Sequence, residues 1–139
     1  MNTAPLRVLI ADDFAPIRRR LTDMLADEAD VTVVGEAASV AGTLEAISNL
    51  APDVVILGLI MPDGHGIDVL RLTLAQEARP YFIVLSQDNS EEYRMAAAHY
   101  QAHAFINKAS ELAGVIASLY SLAQNTRHGA RLAPGDWHE

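Results

Sequence analysis

A chain of 139 residues, half of them hydrophobic and a fifth charged, has the length of one globular domain and enough apolar surface for its own core. Its net charge of −8, from ten Lys and Arg against eighteen Asp and Glu, disfavours direct nucleic-acid binding, which needs clustered positive charge. The absence of cysteine removes disulfides, thiolate metal sites and cysteine nucleophiles, and it fits a reducing compartment.

The N-terminus, MNTAPLRVLI, has no long apolar stretch behind a basic start, and no run approaches the roughly 18 apolar residues of a membrane span. A cytoplasmic protein with no membrane contact is the expectation. Five short apolar runs then recur: Leu6–Ala11, Val31–Gly35, Val54–Leu57, Tyr81–Leu85 and His103–Ile106. Four are dense in Val, Ile or Leu with little alternation, as in strands covered on both faces of a parallel sheet. The fifth is more polar and suits an edge.

Helical spacing fills the intervals. Ile17, Leu21, Met24 and Leu25 follow the first run, with Pro16 near the helix start, where a missing N–H matters least. Arg18, Arg19 and Arg20 occupy successive positions, so they spread around this helix and read as a solvated face rather than a ligand patch. Ser39 is placed to cap a second helix with the stripe Val40, Leu44, Ile47 and Leu50, which Ala51-Pro52-Asp53 stops. Ile67, Leu70 and Leu74 mark a third, ended by Arg79-Pro80. Ser90 with Glu91 and Glu92 opens a fourth, and Ser110 a fifth bearing Leu112, Val115, Ile116, Leu119 and Leu122.

Five βα units in strict alternation imply an α/β fold, a doubly wound parallel sheet with right-handed crossovers. The pattern dissolves near Thr126, so residues 1–125 read as the domain and 126–139 as a flexible tail. In open α/β sheets ligands sit beyond the carboxyl ends of the strands. Those ends carry Asp12-Asp13, Gly58, Ser86 and Asn107-Lys108. Each residue alone has a bland reading as a turn, cap or surface group. Together they form a cluster suited to hard cations and phosphoryl groups.

Here the residues resemble a family. VLIADDFAPIRRRL is similar to the opening of bacterial response-regulator receiver domains, and VVGEAASVAGTLEAISNLAPDVVIL with MPDGHGIDVL resembles their second and third βα units. VLSQDNSEEY and AFINKAS resemble the family's Ser/Thr and aromatic-x-x-Lys motifs. The resemblance runs from about Leu6 to about Leu122, and the VVGEAA segment is most like receivers that precede helix-turn-helix output domains. It implies a flavodoxin-like (βα)5 sheet of five strands in the order 2-1-3-4-5. It also implies a role in two-component phosphorelay signalling and no enzymatic activity of the domain's own.

By the same resemblance, Asp12 and Asp13 match the acidic pair that holds Mg²⁺, with the backbone carbonyl of Ile60 as a further ligand. Ser86 matches the hydroxyl that meets the phosphoryl group, Lys108 the cation on its oxygens, and Phe105 the aromatic that changes rotamer on activation. Pro62 and Gly66 match the turn after the third strand. The acceptor position departs: Gly58 stands where the family has the phosphate-accepting Asp. Glycine cannot form an aspartyl phosphate, and its missing carboxylate weakens Mg²⁺ binding; no organic cofactor is expected. Asp63, in the next loop, is expected to point elsewhere. Gln101 stands where a glycine usually closes the fourth helix, so an altered helix end is expected.

With Gly58 in place, Lys108 is expected to pair with Asp13, a switch with its input removed; otherwise water or a ligand fills the vacated space. Function then passes to surfaces. The resemblance points to the fourth helix, fifth strand and fifth helix, where Tyr93, Met95, His99, Tyr100, His103 and Tyr120 offer contacts to a histidine kinase, an output protein or a homodimer partner. Two alternatives stand beside this reading: a phosphorylation-inactivated variant of an ordinary receiver, and a ligand-binding α/β domain. The second lacks a G-x-G-x-x-G or P-loop after the first strand. Among His65, His99, His103, His128 and His138, only His99 and His103 stand four apart, and they straddle a helix end and a strand, so a zinc site is not expected.

Overall fold

The computed structural model describes residues 4–87 and 90–127. Its central sheet is assembled from β1 (Leu6–Ala11), β2 (Val31–Ala37), β3 (Val54–Gly58), β6 (Tyr81–Ser86) and β7 (Ala104–Asn107). Their order is β2-β1-β3-β6-β7, and every pairing is parallel. This is the 2-1-3-4-5 order, with β6 and β7 as the fourth and fifth sheet strands. All residues of β3 and β6 are buried, which is why those runs carry no alternation. β7 takes the expected edge, although all four of its residues are buried.

Helices α1 (Ala15–Ala26), α2 (Val40–Leu50), α3 (Gly66–Thr73), α4 (Glu91–His99) and α5 (Gly114–Arg127) cover the two faces. Leu21 and Leu25 of α1 share one core with Val115, Leu119 and Leu122 of α5. Val40 and Ile47 of α2, Val69 and Leu70 of α3 and Ala97 of α4 share the other. None of the described helices is long and apolar enough to cross a membrane.

Local chemistry sets the boundaries. Ser39 accepts a hydrogen bond from the Gly42 N–H at 2.9 Å, the expected cap of α2. Between β3 and α3 the segment Met61-Pro62-Asp63-Gly64 turns a small antiparallel hairpin of β4 (Ile60–Met61) and β5 (Gly64–His65), two strands too short for a periodic signal. Residue Asp63 leaves this turn to accept hydrogen bonds from the Val40 and Ala41 N–H groups at 2.7 and 3.0 Å. It thus gives α2 a second cap, and those bonds, Ala41's foremost, hold its carboxyl below the usual range. His65 and Asp68 complete a capping box for α3.

The structure corrects several helix ends, and α3 stops at Thr73, short of the expected end at Arg79-Pro80. Helix α5 begins at Gly114 rather than Ser110. The Asn107 side chain accepts from the Ala109 and Ser110 N–H groups, and these local bonds hold the approach as turns. The end of α4 is also unaltered: Gln101 takes φ +64 itself, and Ala102 N–H donates to the Ala97 carbonyl as in a glycine-closed helix. The Arg79 guanidinium helps fix that end by donating to the carbonyls of Tyr100 and Gln101, and to that of Leu70 on α3. Helix α5 runs to Arg127, past the expected limit at 125, and the expected tail from 128 to 139 lies outside the described residues.

Candidate functional site

The carboxyl ends of β1, β3, β6 and β7 stand side by side, with Gly58 opposite Leu85 and Ser86 opposite Asn107 in the parallel register. This brings Asp12, Gly58, Ser86 and Lys108 together at one edge of the sheet. The Lys108 N–H donates to the Ser86 carbonyl at 2.9 Å, tying the start of the β7–α5 loop to the end of β6. An open pocket of about 370 Å³ lies above, walled by Asp13, Ile60, Ser86, Tyr93 and Lys108 and floored in part by Leu59 and Leu85.

The acidic pair is split between two environments. Asp13 is exposed at the pocket rim, whereas Asp12 is fully buried. One Asp12 oxygen, Oδ1, accepts the Phe14 N–H at 2.9 Å, an Asx-type turn built into the Asp12-Asp13-Phe14 sequence. The other, Oδ2, meets Lys108 Nζ at 2.9 Å in an ion pair whose side chains are 0% and 10% exposed. Lys108 therefore pairs with Asp12 and not with Asp13 as expected from sequence. The outer face of α1 adds an anchor, since Arg18 donates to the Asp12 carbonyl at 2.7 Å and pairs with Glu36.

The position of Gly58 explains this arrangement. A Cβ on Gly58 would lie 2.5 Å from Asp12 Oδ2 and 3.0 Å from its Cγ. The Asp12 carboxylate thus lies against the point where a side chain at 58 would begin, leaving too little room for a Cβ without a shift of that carboxylate. Gly66 closes the other side: a Cβ there would run into the Gly58 carbonyl, and its N–H donates to the Leu59 carbonyl at 2.7 Å.

The residues present do not fit a Mg²⁺ site of the kind the resemblance implies. Both oxygens of Asp12 are engaged, and Asp13 is the one acidic side chain lining the pocket. Ile60 is half exposed at the rim. Among the described residues no group of three or more His, Asp or Glu is placed to hold a metal.

Phe105 is buried, with the Arg94 guanidinium carbon of α4 4.9 Å from its ring centroid. That cation–π contact links the aromatic of β7 to α4, and no sequence spacing announces it because the partners lie on different elements. On α4, Met95 is 63% exposed and His99 is also exposed, whereas Tyr120 of α5 is turned toward the end of α1, where its hydroxyl donates to the Glu28 carboxylate, so it is not part of the expected surface. Tyr93 and Tyr100 are half-buried. His103 is not part of this surface: it is buried, its ring meets Tyr81 edge-on, and its Nδ1 accepts the Phe82 N–H at 3.2 Å.

The chain matches the response regulator receiver domain model over residues 8–120. It is 37% identical over 134 residues to a protein-glutamate methylesterase/protein-glutamine glutaminase of Myxococcus xanthus, covering 95% of this chain and 38% of that protein. It is 34% identical over 92 residues to the DNA-binding transcriptional activator DevR/DosR of Mycobacterium tuberculosis, covering 66% of this chain and 42% of that protein. The chain thus spans well under half the length of these relatives. Its structure superimposes with a TM-score of 0.81 and 26% identity on the signal receiver domain of the response regulator NarL from Mycobacterium tuberculosis, covering 88% and 98% of the two chains. The CheX-bound CheY of Borrelia burgdorferi shares the fold at a TM-score of 0.78 and 24% identity, over 86% and 90%. With the family match spanning all five sheet strands and the residues at their ends, this chain belongs to the response-regulator receiver domains of two-component signalling.

Proposed function

We propose that this receiver is a signalling and protein-interaction module that works without phosphorylation of residue 58. The observation that carries the reading is the Asp12 carboxylate, which lies against Gly58 and holds the Lys108 ammonium at 2.9 Å. The cation that would meet phosphoryl oxygens is neutralised from within, and no carboxylate stands at 58 to accept the group. A buried pair of this kind favours one fixed arrangement, because separating it leaves a charge in a poorly solvated place. Signal then passes through contacts with a kinase or an output protein, for which the exposed Met95 and His99 on α4 support a docking role. Such a module works in the cytoplasm. The methylesterase and DNA-binding activities named for the relatives belong to those longer proteins.

Incubation with Mg²⁺ and a small phosphodonor, or with a histidine kinase, is expected to yield no acid-labile phosphoprotein. Stoichiometric acyl phosphate, seen by mass spectrometry at neutral pH and lost on acid treatment, overturns the reading. A second reading, a ligand-responsive receiver, draws on the 370 Å³ pocket with its Tyr93 wall. A nucleotide or flavin that raises the melting temperature over a no-ligand control supports it.

A further inference from the structure

The pocket at the strand ends is lined by two charged side chains, Asp13 and Lys108. Asp12 already claims the Lys108 ammonium at 2.9 Å, so that charge is balanced from below. An anion entering the pocket competes with Asp12 for the same ammonium, and winning it strands a fully buried carboxylate. Asp13 is exposed at the rim and forms no ion pair among the described residues. The unbalanced charge of the pocket is therefore negative. Helix α4, which contributes Tyr93 to the wall, carries Glu91 and Glu92 in its first turn, and these offset the positive end of that helix.

A hard dication is poorly served here, because Mg²⁺ demands octahedral oxygen ligands and Asp13 is the one acidic side chain on the lining. An organic monocation asks for less. A planar amidinium or guanidinium pairs with a single carboxylate through two parallel N–H donors. Its flat or apolar body wants an aromatic or aliphatic wall, and the half-buried Tyr93 and the rim residue Ile60 supply both. The His65 ring stands beside that of Tyr93, with centroids 6.2 Å apart, joining the β4–β5 hairpin to this wall. A volume of about 370 Å³ lies at the lower end of the range for small-molecule sites, about 300–1,000 Å³.

We infer that this pocket is a binding site for a small organic cation, an amidinium or guanidinium group on a flat or apolar body, held by the Asp13 carboxylate and the Tyr93 ring. The inference rests on the ligand-responsive reading above and narrows its ligand to a cation. The same charges disfavour anionic ligands, nucleotide phosphates included. Binding leaves the Asp12–Lys108 pair in place, so no buried charge has to be exposed or stranded. Tyr93 belongs to α4, the helix that presents Met95 and His99, which puts an occupied pocket in contact with the element that carries the exposed docking residues.

Three probes of nearly the same shape test it: benzamidine, benzamide and benzoate, which carry one positive charge, none and one negative. Titration of the full chain followed by amide NMR is expected to show benzamidine binding at one site, shifting the Asp13 and Tyr93 signals, about tenfold or more tighter than either other probe. Asp13→Asn weakens benzamidine about tenfold and leaves benzamide unchanged, and Tyr93→Leu weakens both. Glu45→Gln removes the same charge from an exposed position on α2, which does not line the pocket, and leaves all three probes unchanged. Circular dichroism melting confirms that the variants are folded. No binding of benzamidine, or a loss in Glu45→Gln equal to that in Asp13→Asn, overturns the proposal. Benzamide or benzoate binding in the pocket as tightly as benzamidine overturns the choice of a cation while the ligand-responsive reading stands, and failure of all three probes tells against that reading as well.

Discussion

The Asp12 carboxylate lies where a side chain on Gly58 would begin, 2.5 Å from the position of its Cβ, and Lys108 holds it there. Even one methyl group at 58 therefore forces the buried ion pair to move. Gly58→Ala is expected to cost about 1–3 kcal/mol, as overpacking does in a filled site. Urea unfolding compared with the parent measures it. Gly58→Asp adds a second carboxylate beside Asp12, and Mg²⁺ is expected to raise the melting temperature of that variant more than that of the parent.

Lys108→Met leaves Asp12 as a buried carboxylate without its cation. The expected loss is about 3–5 kcal/mol, the range for removing one partner of a buried pair. Adding Asp12→Asn to the same chain recovers most of that loss, because the uncompensated charge is gone. Denaturant midpoints for the two singles and the double form a cycle that isolates the pair.

Asp63 joins the β4–β5 turn to the start of α2, and its hydrogen bonds to Ala41 and Val40 N–H lower its pKa from the usual 3.8. A carboxyl with a depressed folded value stabilises fully above its unfolded value, and that contribution fades as pH falls through the folded value. Asp63→Asn is expected to unfold more easily at neutral pH and to lose less stability than the parent on acidification through this range. Urea midpoints across a pH series record both slopes.

Phe82 N–H has its acceptor in His103 Nδ1, inside the β6–β7 edge. His103→Leu keeps the bulk and removes the acceptor, at an expected cost of about 1–3 kcal/mol for the orphaned buried donor. Hydrogen exchange at the Phe82 amide is expected to accelerate along with the drop in stability.

Gln101 holds a left-handed conformation at the end of α4, with φ +64. Glycine adopts it without the Cβ penalty, so Gln101→Gly is expected to stabilise the domain by about 1 kcal/mol. Thermal and urea unfolding check the sign. A loss instead shows that the Gln101 side chain contributes contacts that outweigh the backbone strain.

Much of this molecule was legible in the order of its residues, and the reason is local. Unbroken apolar runs announce strands covered on both faces, and steps of three and four announce the helices between them, so the sheet and the four strand ends that carry Asp12, Gly58, Ser86 and Lys108 followed from periodicity and alternation. Ser39 announced the α2 cap because capping is an interaction across three residues. The absence of a carboxylate at 58 needed no coordinates.

What only the tertiary structure decided lies between elements distant in the chain. Asp12 and Asp13 are adjacent in sequence, yet the strand end buries one and exposes the other, and 96 positions separate Asp12 from the lysine that claims it. The hydrogen bonds of Asp63 to α2, the guanidinium of Arg94 over Phe105 and the acceptor role of His103 depend likewise on packing that brings separate elements together. The sequence by itself determined which functional group is missing. The fold decided which charges stand beside that position, because burial and pairing depend on packing between elements distant in the chain.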